Sequence, residues 1–316
     1  MNGRTVVIVS STDDVHAVAV ARALEARGTA HRILDFADFP EPNSISHSCG
    51  GGRPGAVRFG DLSLSEASEY SVWFRRPRQH GVSPTLHHDY ADYARRMTRL
   101  TAISGLAAHA RIVVNRTGPN DLIHHKPYQL ELARVCGLAI PETLVTSAPD
   151  KARAFVERMG TCIIKSPGSW RYRLIETRPL SLASDFDFDL VRYCPVMLQS
   201  FVDGDREFRV TIIGNTVFAA AIDLSRSDFK TDSRLGEGRS VTASELPDQT
   251  QRALLRFHAA SGLEYGAYDL RCDRNGVPHF LEVNPDGQYL FIEIETGLPI
   301  SHAVAARLAE GVRPTY

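Results

Sequence analysis

Cysteine, lysine and long apolar runs are all scarce in this 316-residue chain, and each shortage narrows what the protein can be. The cysteines are odd in number and scattered, without the paired spacing of a zinc site: Cys49, Cys136, Cys162, Cys194 and Cys272. This pattern predicts reduced thiols in a cytoplasmic enzyme and argues against structural zinc. No apolar run is long enough to cross a bilayer, so we expect no membrane partner.

No charge of one sign dominates either. The 36 lysines and arginines are balanced by 37 aspartates and glutamates, which leaves a net charge of -1. A chain without a basic field is a poor nucleic-acid binder, so we expect no nucleic-acid partner. Residues 1–10 enter an apolar β-like segment without the charged region and cleavage site of a secretory signal. The length and 43% hydrophobic content predict two or three globular lobes.

The first third of the chain alternates between strand and helix patterns. Within it, Pro40–Pro54 contains three consecutive glycines but lacks the strand and helix context of a phosphate-binding loop. We therefore predict a flexible surface connection there. The predicted elements are strands at Thr5–Val9, His31–Asp35, Ser71–Phe74 and Val113–Asn115, and helices at Val15–Arg27 and Leu86–Ala108.

The rest of the chain changes from alternating elements to β-rich sequence. A polar segment, Ser225–Ser240, is either a mobile loop over a site or a solvated connection. The predicted helices are Asp121–Cys136, Pro149–Met159, Leu246–Ala260 and Ile300–Glu310, and the predicted strands are Thr143–Thr146, Thr161–Lys165, Val196–Phe201, Glu207–Ile213 and Val217–Ile222.

The most informative pattern is a hairpin signal near the carboxyl end, where an Asn-Gly dipeptide at 275–276 separates two β-prone runs. Residues two apart in a strand share a face, so Glu282 and Asn284 point to one side, and Asp269 on the partner strand can join them. Mg²⁺ prefers one or two carboxylates and completes its shell with water and phosphate oxygens. The hairpin thus predicts a metal and nucleotide site, with an ordinary solvated strand face as the alternative.

Four of the basic residues are lysines, and two of them are placed to meet phosphate. Lys165 ends an apolar strand and precedes Ser166-Pro167-Gly168-Ser169, where an ammonium group and loop amides can surround phosphate oxygens. Lys126 lies early in a predicted helix and can reach the same ligand. The alternatives are a strand-end lysine that extends to solvent and an exposed helix lysine. Lys151 is predicted to lie on the surface.

The segment Gln199–Asp205 is typical of a strand that runs into a turn between lobes, where backbone groups can read adenine edges. Glu207 and Arg209 share a strand face beyond it, and Arg209 can neutralise phosphoryl charge during transfer. A structural ion pair between these two fits the spacing equally well. Arg271 shares the face of Asp269, and it either meets an anionic ligand or only orients Asp269.

In this order, the motifs resemble those of the ATP-grasp carboxylate ligases over residues 115–300. They are Lys126, Lys165-Ser166-Pro167-Gly168, the Gln199–Val202 hinge, Glu207-Phe208-Arg209, and Asp269-Leu270-Arg271 with Glu282-Val283-Asn284-Pro285. Two further stretches, Trp73–Pro77 and Gly287–Ile300, are similar to the peptide-modifying branch that makes microviridin-type graspetides. The resemblance implies an α/β (α+β) ATP-grasp fold with an N-terminal pre-ATP-grasp domain (1–118), a small central domain (119–198) and a C-terminal antiparallel-sheet domain (199–316).

The resemblance also implies residue roles around ATP and two Mg²⁺ ions. Ser200 stands where related hinges often carry glutamate, which leaves the ribose contact to Asp203 or Asp205. Glu207 replaces a common aspartate. The implied roles are phosphate binding by Lys126, Lys165 and Ser166, adenine contact by Gln199, Phe201 and Val202, metal binding by Asp269, Glu282 and Asn284, and catalytic charge stabilisation by Arg209 and Arg271.

The implied reaction is phosphorylation of an acidic side chain of a precursor peptide, with leader and acidic core, followed by ester or amide crosslinking. Arg75, Arg76, Lys230 and Arg234 are either contacts for acidic peptide residues or surface and structural residues. The family likeness is also compatible with a homodimer. Two other functions stay open: another ATP-grasp ligase that joins amino acids or adds glutamate to a protein, and a catalytically silent nucleotide-binding or peptide-binding module.

Overall fold

A computed structural model describes residues 4–115, 121–168, 178–226 and 239–312. Its strands are β1 Arg4–Val9, β2 His31–Leu34, β3 Ile45–Gly50, β4 Arg53–Phe59, β5 Leu62–Ser65, β6 Glu69–Phe74, β7 Ile112–Val114, β8 Thr143–Thr146, β9 Cys162–Lys165, β10 Arg178–Leu180, β11 Val196–Ser200, β12 Arg206–Ile213, β13 Thr216–Asp223, β14 Ser240–Ser244, β15 Tyr265–Cys272 and β16 Pro278–Asn284. Its α helices are α1 Val15–Ala26, α2 Ala91–Ala108, α3 Lys126–Val135, α4 Pro149–Met159, α5 Asp248–Ser261, α6 Leu290–Thr296 and α7 Ile300–Glu310.

The first sheet is parallel, in the order β2-β1-β6-β7, and it is covered on both faces. Val6 and Ile8 of β1 pack among residues of α1 and α7. Val7 and Val9 pack with α2 and with strands of a neighbouring small sheet. This double burial explains why β1 is apolar at every position from Val6 to Val9, as parallel strands usually are.

The small sheet, β3-β4-β5, occupies most of the segment that was expected to be a surface connection, so that prediction is wrong. Gly50, Gly51 and Gly52 form the turn between β3 and β4 with φ values of 86°, 67° and 71°. These left-handed values favour glycine, which has no Cβ. The first strand, Ile45–Gly50, is almost wholly exposed, so its sequence lacks the apolar alternation that reveals most strands.

The central sheet is antiparallel, in the order β10-β9-β11-β8. Helix α4 packs on it through Ala152, Phe155 and Val156. The bounds of β8 and α4 agree with the sequence prediction. Strand β9 ends at Lys165, so the sheet directs that residue toward one end of the unit.

The third sheet is antiparallel, in the order β14-β13-β12-β15-β16. Helices α3 and α5 cover one face, where Phe208, Tyr268 and Phe280 are buried. The opposite face is covered in part by α6 and α7 and carries the polar side chains that the sequence singled out. The predicted α/β class with an antiparallel carboxyl-terminal sheet is confirmed.

Helix α7 has the predicted bounds, but it packs against the first unit rather than only against the third sheet. It lies on α1, β6 and β7 of the first sheet, although the predicted division places it in the third domain. Strand β14 and helix α6 were not predicted. All five cysteines are free thiols, as expected. Across the parts of the chain that the model describes, the helices are too short or too polar to cross a membrane.

Asn115 ties the first unit to the third sheet through its side-chain amide. Its Nδ2 donates to the carbonyl oxygens of Tyr265 and Pro285, at 2.8 and 3.0 Å. Its Oδ1 accepts from the backbone N–H groups of Glu264 and Tyr265, both at 2.9 Å. One amide thus satisfies four backbone groups on two segments that flank the site strands.

We predict that Asn115→Ala lowers the free energy of unfolding by about 2–4 kcal/mol, because it leaves several partly buried backbone groups unpaired. Urea unfolding followed by circular dichroism would measure the change. Asn275→Ala, in the exposed turn between β15 and β16, is the matched control and should leave the midpoint unchanged. Equal midpoints for both variants would contradict the role of Asn115.

Candidate active site

The metal ligands expected from the sequence come together on one face of the hairpin β15–β16. Asp269 lies directly opposite Glu282, and Ala267 lies opposite Asn284, two residues further along the same face. The register shifts between Asp269 and Leu270, because Leu281 is an extra residue on β16. The bulge interrupts the alternation of faces along β16, so Phe280 enters the core while Glu282, two residues later, lies on the site face.

Both carboxylates are held against cations. Arg209 Nη1 donates to Asp269 Oδ1 at 2.6 Å, as expected from their opposed positions in β12 and β15. Lys126 Nζ lies 2.9 Å from Glu282 Oε2. The side chains of Lys126 and Glu282 are about a quarter exposed, so this pair borders an open cleft. Two negative groups can approach each other here because each has its own positive neighbour.

Lys165 completes a cluster of cations above these carboxylates. Burial and the nearby Lys126 charge lower the pKa of Lys165 to about 8, against the opposing effect of Glu282 and Asp269. Since Lys126, Glu282 and Asp269 all act on its pKa, the strand-end lysine of the central sheet lies near the site face of the third sheet. Ser166 follows it, and its Oγ accepts from the N–H of Gly168 at 3.4 Å.

The hinge residues divide into buried and accessible ones. Gln199 is fully buried, and its Nε2 donates to Thr143 Oγ1 of β8 at 2.9 Å. Its side chain therefore presents no surface to a ligand, and the expected adenine contact through backbone groups of the hinge stays a prediction. Val202 is 8% exposed, whereas Phe201 is more open to the cleft.

The two candidate ribose ligands are both exposed. Asp203 already pairs with Arg274, whose Nη2 lies 2.5 Å from Asp203 Oδ2. The carbonyl oxygen of Asp205 accepts from the N–H of Leu224 at 2.7 Å. The assignment of the ribose contact to Asp203 or Asp205 stays a prediction.

Arg271 does not lie where a phosphate-stabilising residue is expected. Its Nη1 donates to Glu207 Oε1 at 2.9 Å and its Nη2 to the Gly204 carbonyl at 2.8 Å. Arg271 is 4% exposed. The guanidinium is thus bound to Glu207 of β12 and to the Gly204 carbonyl, and its catalytic role stays a prediction.

Arg75 is a structural residue. It is 1% exposed, and its Nη1 donates to the carbonyl oxygens of Asp286 and Gly287. Its Nε lies 3.6 Å from Asp14 Oδ2. The expected contact of Arg75 with a peptide is therefore corrected, since burial keeps peptides away from it. Arg76 is exposed, whereas Lys230 and Arg234 lie outside the described residues.

Residues 285–289, here called loop 285–289, connect β16 to α6 and are fixed by hydrogen bonds from several parts of the chain. A Cβ on Gly287 would meet the Cβ of Ala267 at 2.4 Å, so the loop lies directly on the third sheet. Arg75 Nη1 and Tyr265 Oη both donate to the Gly287 carbonyl, the latter at 2.7 Å. Arg209 Nη2 donates to the Gln288 carbonyl at 2.8 Å. The N–H of Tyr289 donates to His16 Nε2 at 3.2 Å.

Asp286 lies among cations. Burial raises the pKa of its carboxyl, while His124, Arg75, Arg76 and Arg99 act in the opposite direction. His124, Arg76 and Arg99 come from three different segments, and the two arginines are exposed. The charges of Arg75, Arg76 and Arg99 therefore act on the carboxyl group of Asp286, just beyond Asn284.

Several residues that shape the site were missed. Gln129 donates from Nε2 to the Val283 carbonyl and accepts at Oε1 from the Val283 N–H, both at 2.9 Å. The one available signal was its position three residues after Lys126, on the same helix face. Asn115 and Tyr265 gave no signal, because their partners are backbone groups far along the chain.

Solved structures with this architecture extend over the whole chain. The macrocyclase MdnC of Microcystis aeruginosa, bound with precursor peptide MdnA, is 25% identical, with 96% of this chain and 98% of that chain covered and a TM-score of 0.83. The ATP-grasp ligase PsnB, complexed with a minimal precursor, is 25% identical, with 98% and 99% covered and a TM-score of 0.79. The chain is an ATP-grasp ligase of the graspetide-maturase type.

A third structure shares the fold of this ligase at lower identity. The RiPP-associated ATP-grasp ligase of Chryseobacterium gregarium, in complex with ADP and a leader and core peptide, is 22% identical, with 98% of each chain covered and a TM-score of 0.86. No protein-family model and no curated protein sequence matches the ligase. Its relationship is thus carried by structure together with the motif order.

We predict that ADP binds the ligase more weakly as the pH rises from 7 to 9.5. Lys165 is positively charged at pH 7 and loses its proton as the pH passes about 8, so its attraction for phosphate disappears. Calorimetry should show a loss of about 10-fold, the usual size for one contact to a charged group.

Lys165→Met should bind ADP weakly at pH 7, with a flatter dependence on pH. Lys151→Met is the matched control, because Lys151 is an exposed residue of α4. Lys151→Met should show the same pH dependence of ADP binding as the unmodified protein. A pH dependence that is as steep in Lys165→Met as in the unmodified protein would contradict the assignment.

Proposed function

We propose that this ligase uses ATP to activate an acidic side chain of a ribosomal precursor peptide and then joins it to a hydroxyl or amine of the same peptide. The observation that carries the proposal is one sheet face that presents Asp269, Glu282 and Asn284 beside Arg209, with Lys126 of helix α3 in contact with Glu282. The likeness to MdnC and PsnB, which were solved with precursor peptides, supports a peptide substrate.

The residues proposed to contact nucleotide, metal and peptide follow one another along the hairpin β15–β16. Arg271 and His279 are paired at the hinge end, and Asp269 and Glu282 are paired in the middle. Asn284 comes next, and the cations around Asp286 lie beyond it. ATP with adenine at the hinge would place its γ-phosphate toward that far end, which leaves the space beside Arg76 and Arg99 for the peptide.

The donor set fits Mg²⁺. Two carboxylates and an amide oxygen are hard ligands, and Mg²⁺ takes few protein ligands when phosphates supply the others. We assign Asp269, Glu282 and Asn284 to two ions. The bound ions would supply charge neutralisation at the β- and γ-phosphates.

The protein's own residues bind and align the reacting groups. Lys126 and Lys165 hold phosphate oxygens, and Lys126 exchanges Glu282 for phosphate as it does so. Arg209 is fixed by Asp269 and the Gln288 carbonyl, so its guanidinium is oriented before the phosphoryl group arrives. This arrangement positions charge, as expected for phosphoryl transfer.

The proposed reaction has two steps. A carboxylate oxygen of the peptide attacks the γ-phosphorus, the bond to the ADP oxygen breaks, and an acyl phosphate forms. A hydroxyl or amine of the peptide then attacks the acyl carbon, phosphate leaves with the bonding electrons, and the attacking group releases its proton. The products are ADP, phosphate and a peptide that has lost one water per crosslink.

The cations beyond Asn284 favour an acidic peptide side chain as the group activated. Arg76 and Arg99 are exposed, and their charges act on Asp286 together with His124. Arginine binds carboxylate with paired N–H groups, so these residues are suited to hold a second carboxylate.

We predict that the ligase removes one water per bond from an acidic peptide that carries its leader, with equal release of ADP, as measured by mass spectrometry and a coupled ADP assay. A gain in peptide mass would instead support a ligase that adds amino acids. Nucleotide binding without ADP release on the true substrate would support a silent binding module.

The same assay tests the peptide site. Arg99→Gln and Arg76→Gln should each raise the KM for peptide by about 10-fold, the usual size for a charge-assisted contact, and leave the KM for ATP unchanged. The matched control is Arg252→Gln on α5, whose side chain is 66% exposed. An unchanged peptide KM in both variants would contradict this part of the proposal.

We further predict that Glu282→Gln and Asp269→Asn each reduce turnover by about 100-fold or more, because each removes a charged metal ligand that acts in phosphoryl transfer. Circular dichroism should show an intact fold, since both groups border the cleft. Asp248→Asn, at an exposed position whose side chain is 92% accessible, is the control. Full turnover in both site variants would reject the metal assignment.

A further inference from the structure

The hinge is attached to the third sheet by one buried arginine. Arg271 donates from Nη1 to Glu207 Oε1 of β12 at 2.9 Å and from Nη2 to the Gly204 carbonyl of the hinge at 2.8 Å. Its guanidinium carbon also lies 5.2 Å from the centre of the Phe201 ring. Arg271 therefore links Phe201 and Gly204 of the hinge to Glu207, near the start of β12.

The backbone reinforces this attachment. Glu207 and Arg271 are directly opposed in β12 and β15, so their ion pair is set by the strand register. A Cβ on Gly204 would come within 2.2 Å of the Cys272 carbonyl oxygen. The hinge thus lies in backbone contact with the end of β15, and a side chain at position 204 would separate them.

We propose that Arg271 is a positioning residue that fixes the hinge and, through Phe201, sets the affinity for the adenosine part of ATP. The inference rests on the proposed function, because it takes ATP as the nucleotide. Arg271 and Arg209 lie on neighbouring strands of one face, yet Arg209 contacts Asp269 and Arg271 contacts Glu207 and Gly204. The two arginines therefore serve opposite ends of the nucleotide.

The geometry separates this role from direct phosphate stabilisation. Arg271 has a side chain that is 5% exposed, and its charge is matched by Glu207, whose side chain is 14% exposed. A buried and paired guanidinium has little remaining attraction for a distant phosphate. Its removal should release Phe201 and the hinge backbone, while the phosphate lysines and Arg209 keep their positions.

The test separates adenosine binding from phosphate binding. We expect Arg271→Met to raise the KM for ATP and the dissociation constant for ADP by about 10-fold, the usual effect of losing a contact to a charged group. The kcat should stay within about 2-fold, and the affinity for inorganic tripolyphosphate should be unchanged. Arg271→Lys should recover part of the ADP affinity, because it restores a cation beside Glu207.

Arg206→Met is the matched control, because Arg206 lies on the same strand as Glu207 but is exposed. Like Arg271, it lies over an aromatic ring, with its guanidinium carbon 4.7 Å from the centre of the Phe208 ring. Arg206→Met should leave every constant unchanged. If Arg271→Met proves too unstable, Phe201→Leu tests the same path from the hinge side and should weaken ADP but not tripolyphosphate.

Three results would overturn the proposal. A loss of kcat at constant KM would make Arg271 a catalytic residue, and an equal loss of tripolyphosphate and ADP affinity would place it at the phosphates. Unchanged ADP affinity in both Arg271→Met and Phe201→Leu would also overturn it. ADP and tripolyphosphate binding need no peptide, so a failure of the peptide reaction would leave these outcomes readable.

Discussion

The site depends on holding β16 in place, although this strand lies at the edge of its sheet and has one neighbouring strand. Edge strands present unpaired backbone groups. The side-chain amide of Gln129 takes the place of a second strand at Val283, since it both donates to and accepts from that residue's backbone. Val283 lies between Glu282 and Asn284. The helix that carries Lys126 thereby also fixes the strand segment that carries Glu282 and Asn284.

The first unit contributes the second support. In open α/β sheets, ligands bind beyond the carboxyl ends of the strands, at the point where the strand order reverses. The order β2-β1-β6-β7 places that point between β1 and β6, and Arg75 follows β6 directly. Here the crevice receives loop 285–289 of the same chain, which His16 and Arg75 hold. The first unit thus supports the loop that follows β16, the strand that carries Glu282 and Asn284.

Period-2 spacing was enough to predict that Glu282 and Asn284 share a face. It did not fix the place of Asp269, because a regular register counted from the 275–276 turn would put Glu282 opposite Tyr268, and the bulge at Leu281 brings it opposite Asp269. Burial was not predictable from spacing. Arg75 and Arg271 have the composition of ligand residues, and their tertiary partners make them structural. Exposed β3 and the short helix α6 were missed because neither has an apolar period that a sequence reveals.

The two cations on the metal face differ in a way that fits their separate tasks. Arg209 is 11% exposed in its side chain and is fixed at two positions, by Asp269 and by the Gln288 carbonyl. Lys126 is 25% exposed and pairs with Glu282. A lysine is a point charge on a flexible stem, whereas arginine has a rigid donor geometry. Lys126 can therefore leave Glu282 for a phosphate, and Arg209 can wait in place for the charge that develops during transfer.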